Sequence, residues 1–232
     1  MMSNDSNTCV IIAGATGLVG KEVIANLLSQ PSIETVYSLS RRALSDIADT
    51  ESKIVPIVDA ELSIHNWDEQ QPTPSIGIIC LGTTLKQAGS KEALRKVDVE
   101  LVCKVAQQMK MIGVKRIAIV SSLGAKASSF SHYLACKGQM EKNIEKMGFE
   151  EVVFARPGPL VGQRDTPRTD ERLIQSLSKV TRPLMWGKLA DFVPIQARDV
   201  AKAMIYQLFS YQEEPTVYLH RREMLDLIKH FG

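Results

Sequence analysis

Three side chains in the second half of the sequence have the types and spacing needed to transfer a proton to a substrate oxygen. Tyr133 and Lys137 are four residues apart in a segment with helical character, and Ser122 precedes Tyr133 by eleven residues. Residues four apart on a helix share a face, so the phenol and the ammonium project together. The lysine charge favours the phenolate, which makes the tyrosine a better acid–base catalyst. Ser122 would hydrogen-bond the substrate oxygen; the alternative is a strand-end hydroxyl that binds only local backbone.

The elements around these residues would bring them to one place. Residues 116–120 form a short β-branched run typical of a buried strand, and Ser121 and Ser122 follow at its carboxyl end. The segment 131–147 is predicted to be the helix that carries Tyr133 and Lys137. Ligands of open parallel sheets bind outside the carboxyl ends of the strands, so we expect the site at that edge.

Near the start of the chain, an apolar run leads into a loop with three evenly spaced glycines. Residues 9–13 are predicted to form a buried strand, Gly14, Gly17 and Gly20 follow, and residues 21–28 have apolar side chains at helical spacing. Such a turn presents backbone N–H groups at the positive end of a helix, where phosphate binds. The alternative is a tight turn without a ligand. Because the strand–glycine–helix order is the context that supports this motif, the sequence predicts dinucleotide binding.

Two arginines stand at the end of the second predicted strand, which covers residues 34–40. In dinucleotide-binding folds an acidic residue at this point binds the ribose 2′-hydroxyl, whereas an arginine accommodates a 2′-phosphate. This chain has Arg41 and Arg42 there and no carboxylate. Guanidinium groups suit phosphate, so NADP(H) is predicted in preference to NAD; the alternative is a solvated basic loop.

Small residues follow the fourth predicted strand, which covers residues 76–81. Gly82 would let a cofactor lie close to the backbone, and the hydroxyl of Thr83 could reach a phosphate or a ribose. One long amphipathic helix is predicted next, over Lys91–Ile112, with Val97, Leu101, Val105 and Met109 on one face and Gly113 as its terminator.

Composition excludes several classes of partner. The 232 residues are 44% hydrophobic with a net charge of +2 spread along the chain, so neither nucleic acid nor a membrane is expected. The first residues lack the order of a signal peptide. The cysteines have no metal-ligand spacing, so we expect no metal site and reduced thiols in a cytoplasmic protein; they are Cys9, Cys80, Cys103 and Cys136. Nothing in the sequence supports or excludes an oligomer.

Taken together, these motifs resemble the short-chain dehydrogenase/reductase superfamily. The Gly14-x-x-Gly17-x-x-Gly20 spacing is that of its extended and atypical members, which include the NAD-dependent epimerase/dehydratase group. Further matches, from Ser40-Arg-Arg42 to Phe154-x-Arg-Pro-Gly158, look most like the Tat-interacting-protein-type oxidoreductase branch. The resemblance implies an α/β Rossmann-type fold with a doubly wound parallel sheet, in one domain over residues 1–232, with residues 156–232 adding a small substrate-side lobe.

The resemblance also implies how the cofactor is bound. NADP(H) would lie in the glycine loop, Lys137 would also hold the nicotinamide ribose, and the remaining contacts would fall on Thr16, Gly17, Leu18, Val19, Arg41, Leu81, Gly82 and Tyr133.

Two departures from the family pattern bear on function. Many extended members have Asn in the helix after strand four, where this chain has Asp98. The region after Arg156 is also shorter than the substrate region of sugar-nucleotide epimerases, which favours a smaller substrate. We therefore expect an NADPH-dependent reductase of a small carbonyl compound. The alternative is a cofactor-binding regulatory protein with vestigial catalysis.

Overall fold

The computed structural model describes residues 8–43, 53–162, 191–210 and 213–231. Its strands are β1 (Thr8–Ala13), β2 (Ile33–Ser40), β3 (Ile54–Val58), β4 (Ile76–Ile79), β5 (Arg116–Val120), β6 (Glu151–Ala155), β7 (Leu160–Val161), β8 (Ile195–Gln196) and β9 (Thr216–Leu219). Seven of them form a parallel sheet in the order β3-β2-β1-β4-β5-β6-β9. β7 and β8 pair with each other in a separate two-stranded sheet.

Helices cover both faces of the large sheet. They are α1 (Leu18–Leu28), α2 (Leu85–Ala88), α3 (Lys91–Arg95), a π-helical segment (Lys96–Leu101), α4 (Val102–Met111), α5 (His132–Glu145), α6 (Ala197–Phe209) and α7 (Arg221–Phe231). Buried side chains of α1, α6 and α7 pack in one core with Val10 and Ile12 of β1. Those of α4 and α5 pack in a second core with Ile11 and Ala13. Successive strand residues point to opposite faces, so β1 contributes to both cores.

This architecture confirms the predicted fold class, an α/β Rossmann-type fold with a doubly wound parallel sheet. The strand order reverses between β1 and β4, because β2 and β3 extend to one side of β1 and the later strands to the other. Ligands of such sheets bind at the carboxyl edge beside this reversal. The loops after β1, β2, β4 and β5, which carry most of the predicted site residues, leave the sheet at that edge.

The prediction of one continuous α-helix over Lys91–Ile112 is wrong for residues 96–101. The chain forms α3, the π-helical segment and α4 in succession. A π-helix uses i→i+5 hydrogen bonds, so its wider turn rotates the side chains relative to an α-helix. Val97 and Leu101, predicted on the buried face, are therefore only half-buried, whereas Asp98 and Val99 are buried. Gly113, with φ +106°, follows the end of α4 as predicted.

The predicted substrate-side lobe is described only in part. Of residues 156–232, β7 and β8 form the separate two-stranded sheet, whereas β9 joins the large sheet and α6 and α7 pack against it. Residues 163–190 of this region lie outside the described residues. The one-domain division of the chain remains a prediction.

Candidate active site

Two of the three loop glycines are required by close backbone contacts. Gly14 has φ +90°, and a Cβ there would lie 2.7 Å from the carbonyl carbon of Cys80. A Cβ on Gly20 would lie 2.1 Å from the carbonyl oxygen of Gly14. Both distances are shorter than side chains tolerate, so only glycine lets β1, β4 and the start of α1 approach this closely.

The start of α1 is arranged to bind an anion. Gly17 is the N-cap, its N–H donates to the Gly14 carbonyl at 3.0 Å, and no side chain of the described residues caps the helix. Uncapped N–H groups at a helix N-terminus attract phosphate, so the loop fits the pyrophosphate of a dinucleotide. Thr16 is exposed and Leu18 half-buried, whereas the Val19 side chain is buried in the core, which leaves only its backbone for a ligand.

The two arginines after β2 are exposed at the same edge of the sheet. β2 lies beside β1, with Leu39 opposite Ala13, so Arg41 and Arg42 leave the sheet next to the glycine loop. The Ser40 hydroxyl donates to the Arg42 carbonyl at 2.7 Å and holds the turn between them. This position suits contact with the adenosine half of a dinucleotide.

The loop after β4 lies over a buried ion pair. Leu81 is half-buried and Gly82 exposed, and the Thr83 N–H donates to Asp98 Oδ2 at 3.0 Å. A Cβ on Gly82 would lie 3.3 Å from Lys137 Nζ and 3.4 Å from Asp98 Oδ1. A larger residue at position 82 would therefore crowd the ion pair and require Lys137 or Asp98 to shift by a few tenths of an ångström.

Lys137 is the most constrained of the predicted catalytic side chains. It is buried, its Nζ lies 2.8 Å from Asp98 Oδ1, and it donates to the Val120 carbonyl at 3.2 Å. Burial acts to lower the pKa of Lys137, but the nearby Tyr133 and Asp98 outweigh it, so the pKa is raised. The ammonium therefore remains charged at the end of β5, next to Ser121 and Ser122.

Ser122 follows β5 and Tyr133 lies on α5, the two elements that Lys137 connects through its hydrogen bond to Val120. Ser122 is half-buried, and its hydroxyl makes a long contact of 3.4 Å with the Leu123 carbonyl. Tyr133, also half-buried, is one helical turn before Lys137 and packs against the cluster of Leu94 and Val99. All three predicted catalytic residues thus lie at the carboxyl edge, on α5 and at the end of β5.

The loop between β5 and α5 is held tightly against the helix. A Cβ on Gly138 would lie 2.3 Å from the backbone of Lys126 and Ala127. The Lys126 N–H also donates to the Leu134 carbonyl at 3.1 Å. This contact fixes the distance between the serine pair after β5 and the face of α5 that carries Tyr133 and Lys137.

A second ion pair, which the sequence did not predict, lies behind this site. Glu141 accepts hydrogen bonds from the Ser121 hydroxyl at 2.6 Å and from the Arg156 guanidinium at 2.9 and 2.6 Å. Its spacing from Lys137 is four residues, so Tyr133, Lys137 and Glu141 form one stripe along α5. That spacing was the available signal for Glu141, whereas its pairing with Arg156 depends on the packing of α5 against β6.

The described residues, 8–43, 53–162, 191–210 and 213–231, lack two other kinds of feature. No helix in these ranges is long and apolar enough to cross a membrane. The same ranges contain no group of three or more His, Cys, Asp or Glu side chains placed to hold a metal ion.

Comparison with solved structures identifies the fold class. MoeE5 in complex with UDP-glucose and NAD superimposes with a TM-score of 0.64 at 15% identity, over 96% of this chain and 82% of that chain. The Bordetella bronchiseptica enzyme WbmF in complex with NAD+ gives 0.63 at 14% identity, over 98% and 79%. The chain therefore shares the Rossmann-type fold of these NAD-bound proteins.

Sequence comparison then identifies the family. The family model described as HIM1 matches residues 74–190. Among curated relatives, the mitochondrial protein FMP52 of Candida albicans is 34% identical over 84% of this chain and 85% of the relative. The mitochondrial protein fmp52 of Aspergillus fumigatus is 37% identical over 84% and 85%. The chain belongs to the HIM1 family and is a relative of the FMP52 proteins.

These comparisons correct one expectation and leave another as a prediction. The relatives are named mitochondrial, so the cytoplasmic location expected from the sequence is wrong, and the names point to mitochondria instead. The epimerase/dehydratase-like fold is found, whereas the narrower resemblance to the Tat-interacting-protein branch stays a prediction.

Proposed function

We propose that the protein is an NADP(H)-dependent oxidoreductase that acts on a small carbonyl or hydroxyl compound. The observation that carries this proposal is the position of Lys137. Its charged ammonium lies beneath Gly82 and at the end of β5, one helical turn from Tyr133 and adjacent to the serine pair. A buried lysine in this position has a clear use if it stabilises a neighbouring phenolate and binds a ribose.

The proposed cofactor would occupy the carboxyl edge of the sheet. The N–H groups of the glycine loop would bind its pyrophosphate, and Arg41 and Arg42 would bind a 2′-phosphate. Lys137 would bind the nicotinamide ribose through the part of its ammonium that Asp98 and Val120 leave free. When bound, the nicotinamide exchanges a hydride with the substrate carbon.

Side chains of the protein would transfer the proton to and from the substrate oxygen. Ser122 would donate a hydrogen bond to the substrate oxygen and orient it toward Tyr133. Tyr133 would donate its phenolic proton to that oxygen during reduction, and the Lys137 charge would stabilise the phenolate that remains. In the oxidative direction the same phenolate would accept the proton.

A small substrate is favoured over a nucleotide sugar. MoeE5, whose solved structure shares this fold, holds UDP-glucose and NAD. The substrate proposed for this chain is instead a small aldehyde, ketone or quinone, as expected from the sequence.

The test follows NADPH absorbance across a panel of small aldehydes, ketones and quinones. We expect at least one to be reduced, with turnover lower by roughly 10²-fold or more in Tyr133→Phe, because a positioned proton donor is lost. Tyr133→Phe should keep its folding and its NADPH affinity. Undiminished turnover in Tyr133→Phe would refute the catalytic assignment. NADPH binding without turnover on any substrate would instead favour the regulatory alternative.

A further inference from the structure

Asp98 connects two parts of the candidate site through its two carboxylate oxygens. Oδ2 accepts the Thr83 N–H at 3.0 Å, and Oδ1 lies 2.8 Å from Lys137 Nζ. The side chain of Asp98 is fully buried. One carboxylate therefore fixes both the loop that follows β4 and the lysine of α5.

The surroundings of Lys137 make Asp98 its main charge partner. Tyr133 and Glu141 approach it from its own helix, Asp98 from the π-helical segment, and the Val120 carbonyl from β5. Glu141 is already paired with the Arg156 guanidinium through two hydrogen bonds. Its charge is compensated there, which leaves Asp98 to balance the Lys137 ammonium.

The π-helical segment explains how Asp98 reaches this position. π-turns are rare in helices and occur frequently at functional sites. Here the segment buries Asp98 and the adjacent Val99 together, so the carboxylate faces Lys137 while Val99 packs with Leu94 and Cys136. The irregular helix is thus directly associated with the ion pair.

We propose that Asp98 is a positioning residue that holds Lys137 and the Gly82–Thr83 loop as one unit for the nicotinamide-ribose half of the dinucleotide. This inference rests on the proposed function, since it assumes that Lys137 binds the ribose. It also explains why a carboxylate stands here: in asparagine one of the two oxygens is replaced by an NH2 group, a donor that would face either the Thr83 N–H or the Lys137 ammonium, which are donors too.

The test compares the whole cofactor with a ligand that contains only its adenosine half. NADPH has the nicotinamide ribose, whereas adenosine 2′,5′-bisphosphate has only the adenosine half. Calorimetric titrations with both would be made on the wild type, Asp98→Asn, Lys137→Met and the double variant. Glu100→Gln is the matched control, because Glu100 lies on the same π-helical segment but is 57% exposed.

We expect Asp98→Asn to weaken NADPH binding by on the order of tenfold or more, since hydrogen bonds to charged groups have this scale. Binding of adenosine 2′,5′-bisphosphate should stay within about twofold of the wild type, a difference of under half a kcal/mol. The double variant should bind NADPH no more weakly than Lys137→Met, because Asp98 acts through Lys137. Glu100→Gln should match the wild type for both ligands.

Asp98→Asn leaves Lys137 buried without its counter-charge, so it should also lower the melting temperature. The double variant contains neither charge and should recover part of that loss, which keeps the binding comparison interpretable if Asp98→Asn folds poorly.

Several results would overturn the inference. Equal weakening of both ligands in Asp98→Asn would mean a general structural role, and losses that multiply in the double variant would mean that Asp98 does not act through Lys137. Unchanged NADPH binding in Asp98→Asn would also overturn it while leaving the proposed function intact. A wild type that binds neither NADPH nor NADH would overturn the proposed function, and the inference with it.

Discussion

The Arg156 guanidinium and the Glu141 carboxylate form a bidentate ion pair, with Nε 2.9 Å from Oε1 and Nη2 2.6 Å from Oε2. Arg156 leaves the end of β6 and Glu141 lies on α5, so the pair joins these elements. The Ser121 hydroxyl, at the end of β5, also donates a hydrogen bond to the Glu141 carboxylate. The Arg156 guanidinium lies 4.0 Å from the centre of the Tyr218 ring on β9. The pair therefore braces the helix that carries Tyr133 and Lys137.

Replacing Glu141 with glutamine should strongly destabilise the protein. Removing one partner of a buried ion pair leaves the other charge uncompensated, which typically costs about 3–5 kcal/mol of unfolding free energy. Urea denaturation would measure this loss. Glu150→Gln is the control, because Glu150 pairs with Lys115 at 3.4 Å on the surface and both side chains are 63% exposed. That change should cost about 0–1 kcal/mol. Equal losses in the two variants would contradict the bracing role.

Tyr218 should ionise only in strong alkali. Burial, together with its hydrogen bond to Glu145, raises the pKa of Tyr218 from 10.0 to about 12. A group with a raised folded-state pKa stabilises the fold below its unfolded pKa and loses that contribution as pH rises to the folded value. Unfolding free energy should therefore fall between pH 10 and about 12.

The measurement is an ultraviolet titration of phenolate absorbance in wild type and Tyr218→Phe. Burial also raises the pKa of Tyr37, so the difference between the two curves is needed to isolate Tyr218. A difference curve centred near pH 10 would contradict the prediction. Tyr218→Phe should also show a smaller loss of stability over the same pH range.

Substitutions of two loop glycines should distinguish a loss of dinucleotide binding from a loss of folding. Gly17 has φ −75°, and a Cβ there would lie 3.3 Å from the Gly14 carbonyl oxygen, a tight contact that small shifts can relieve. Gly17→Val should therefore fold but lose dinucleotide binding, because the branched side chain would occupy the space next to the pyrophosphate.

Gly20→Ala is the contrasting variant, since its Cβ would lie 2.1 Å from the Gly14 carbonyl oxygen. We expect it to lose stability as well as binding, by circular dichroism and calorimetric titration. A folded Gly17→Val that binds NADPH normally would show that the glycine loop has only a structural role.

Arg41 should determine the preference between cofactors. A charge-assisted hydrogen bond contributes roughly 1.5–3 kcal/mol, so Arg41→Ala should weaken NADPH binding by about 10- to 100-fold. NADH lacks the 2′-phosphate and serves as the internal control, with its affinity unchanged. Calorimetric titration with each cofactor gives both values. Wild-type affinities that are equal for NADPH and NADH, or a variant that weakens both alike, would refute the assignment.

Much of the fold could be predicted because it depends on local patterns. The unbroken apolar run of residues 9–13 has the character of a buried parallel strand, and the structure places β1 at the centre of the sheet. Glycine spacing identified the turn into α1, although only the structure shows that Gly14 and Gly20 are required by contacts and that Gly17 is not. The four-residue spacing of Tyr133 and Lys137 was enough to place them on one face of α5.

The tertiary structure alone decided which residues far apart in the sequence form pairs. Asp98 could be recognised as unusual, but its contact with Lys137 requires the π-helical segment, and a π-turn has no periodic apolar pattern that would reveal it. Glu141 and Arg156 meet because α5 packs against the sheet next to β6. Hydrophobic periodicity specifies which face of an element is buried, whereas the partner of a buried charge depends on how separate elements pack.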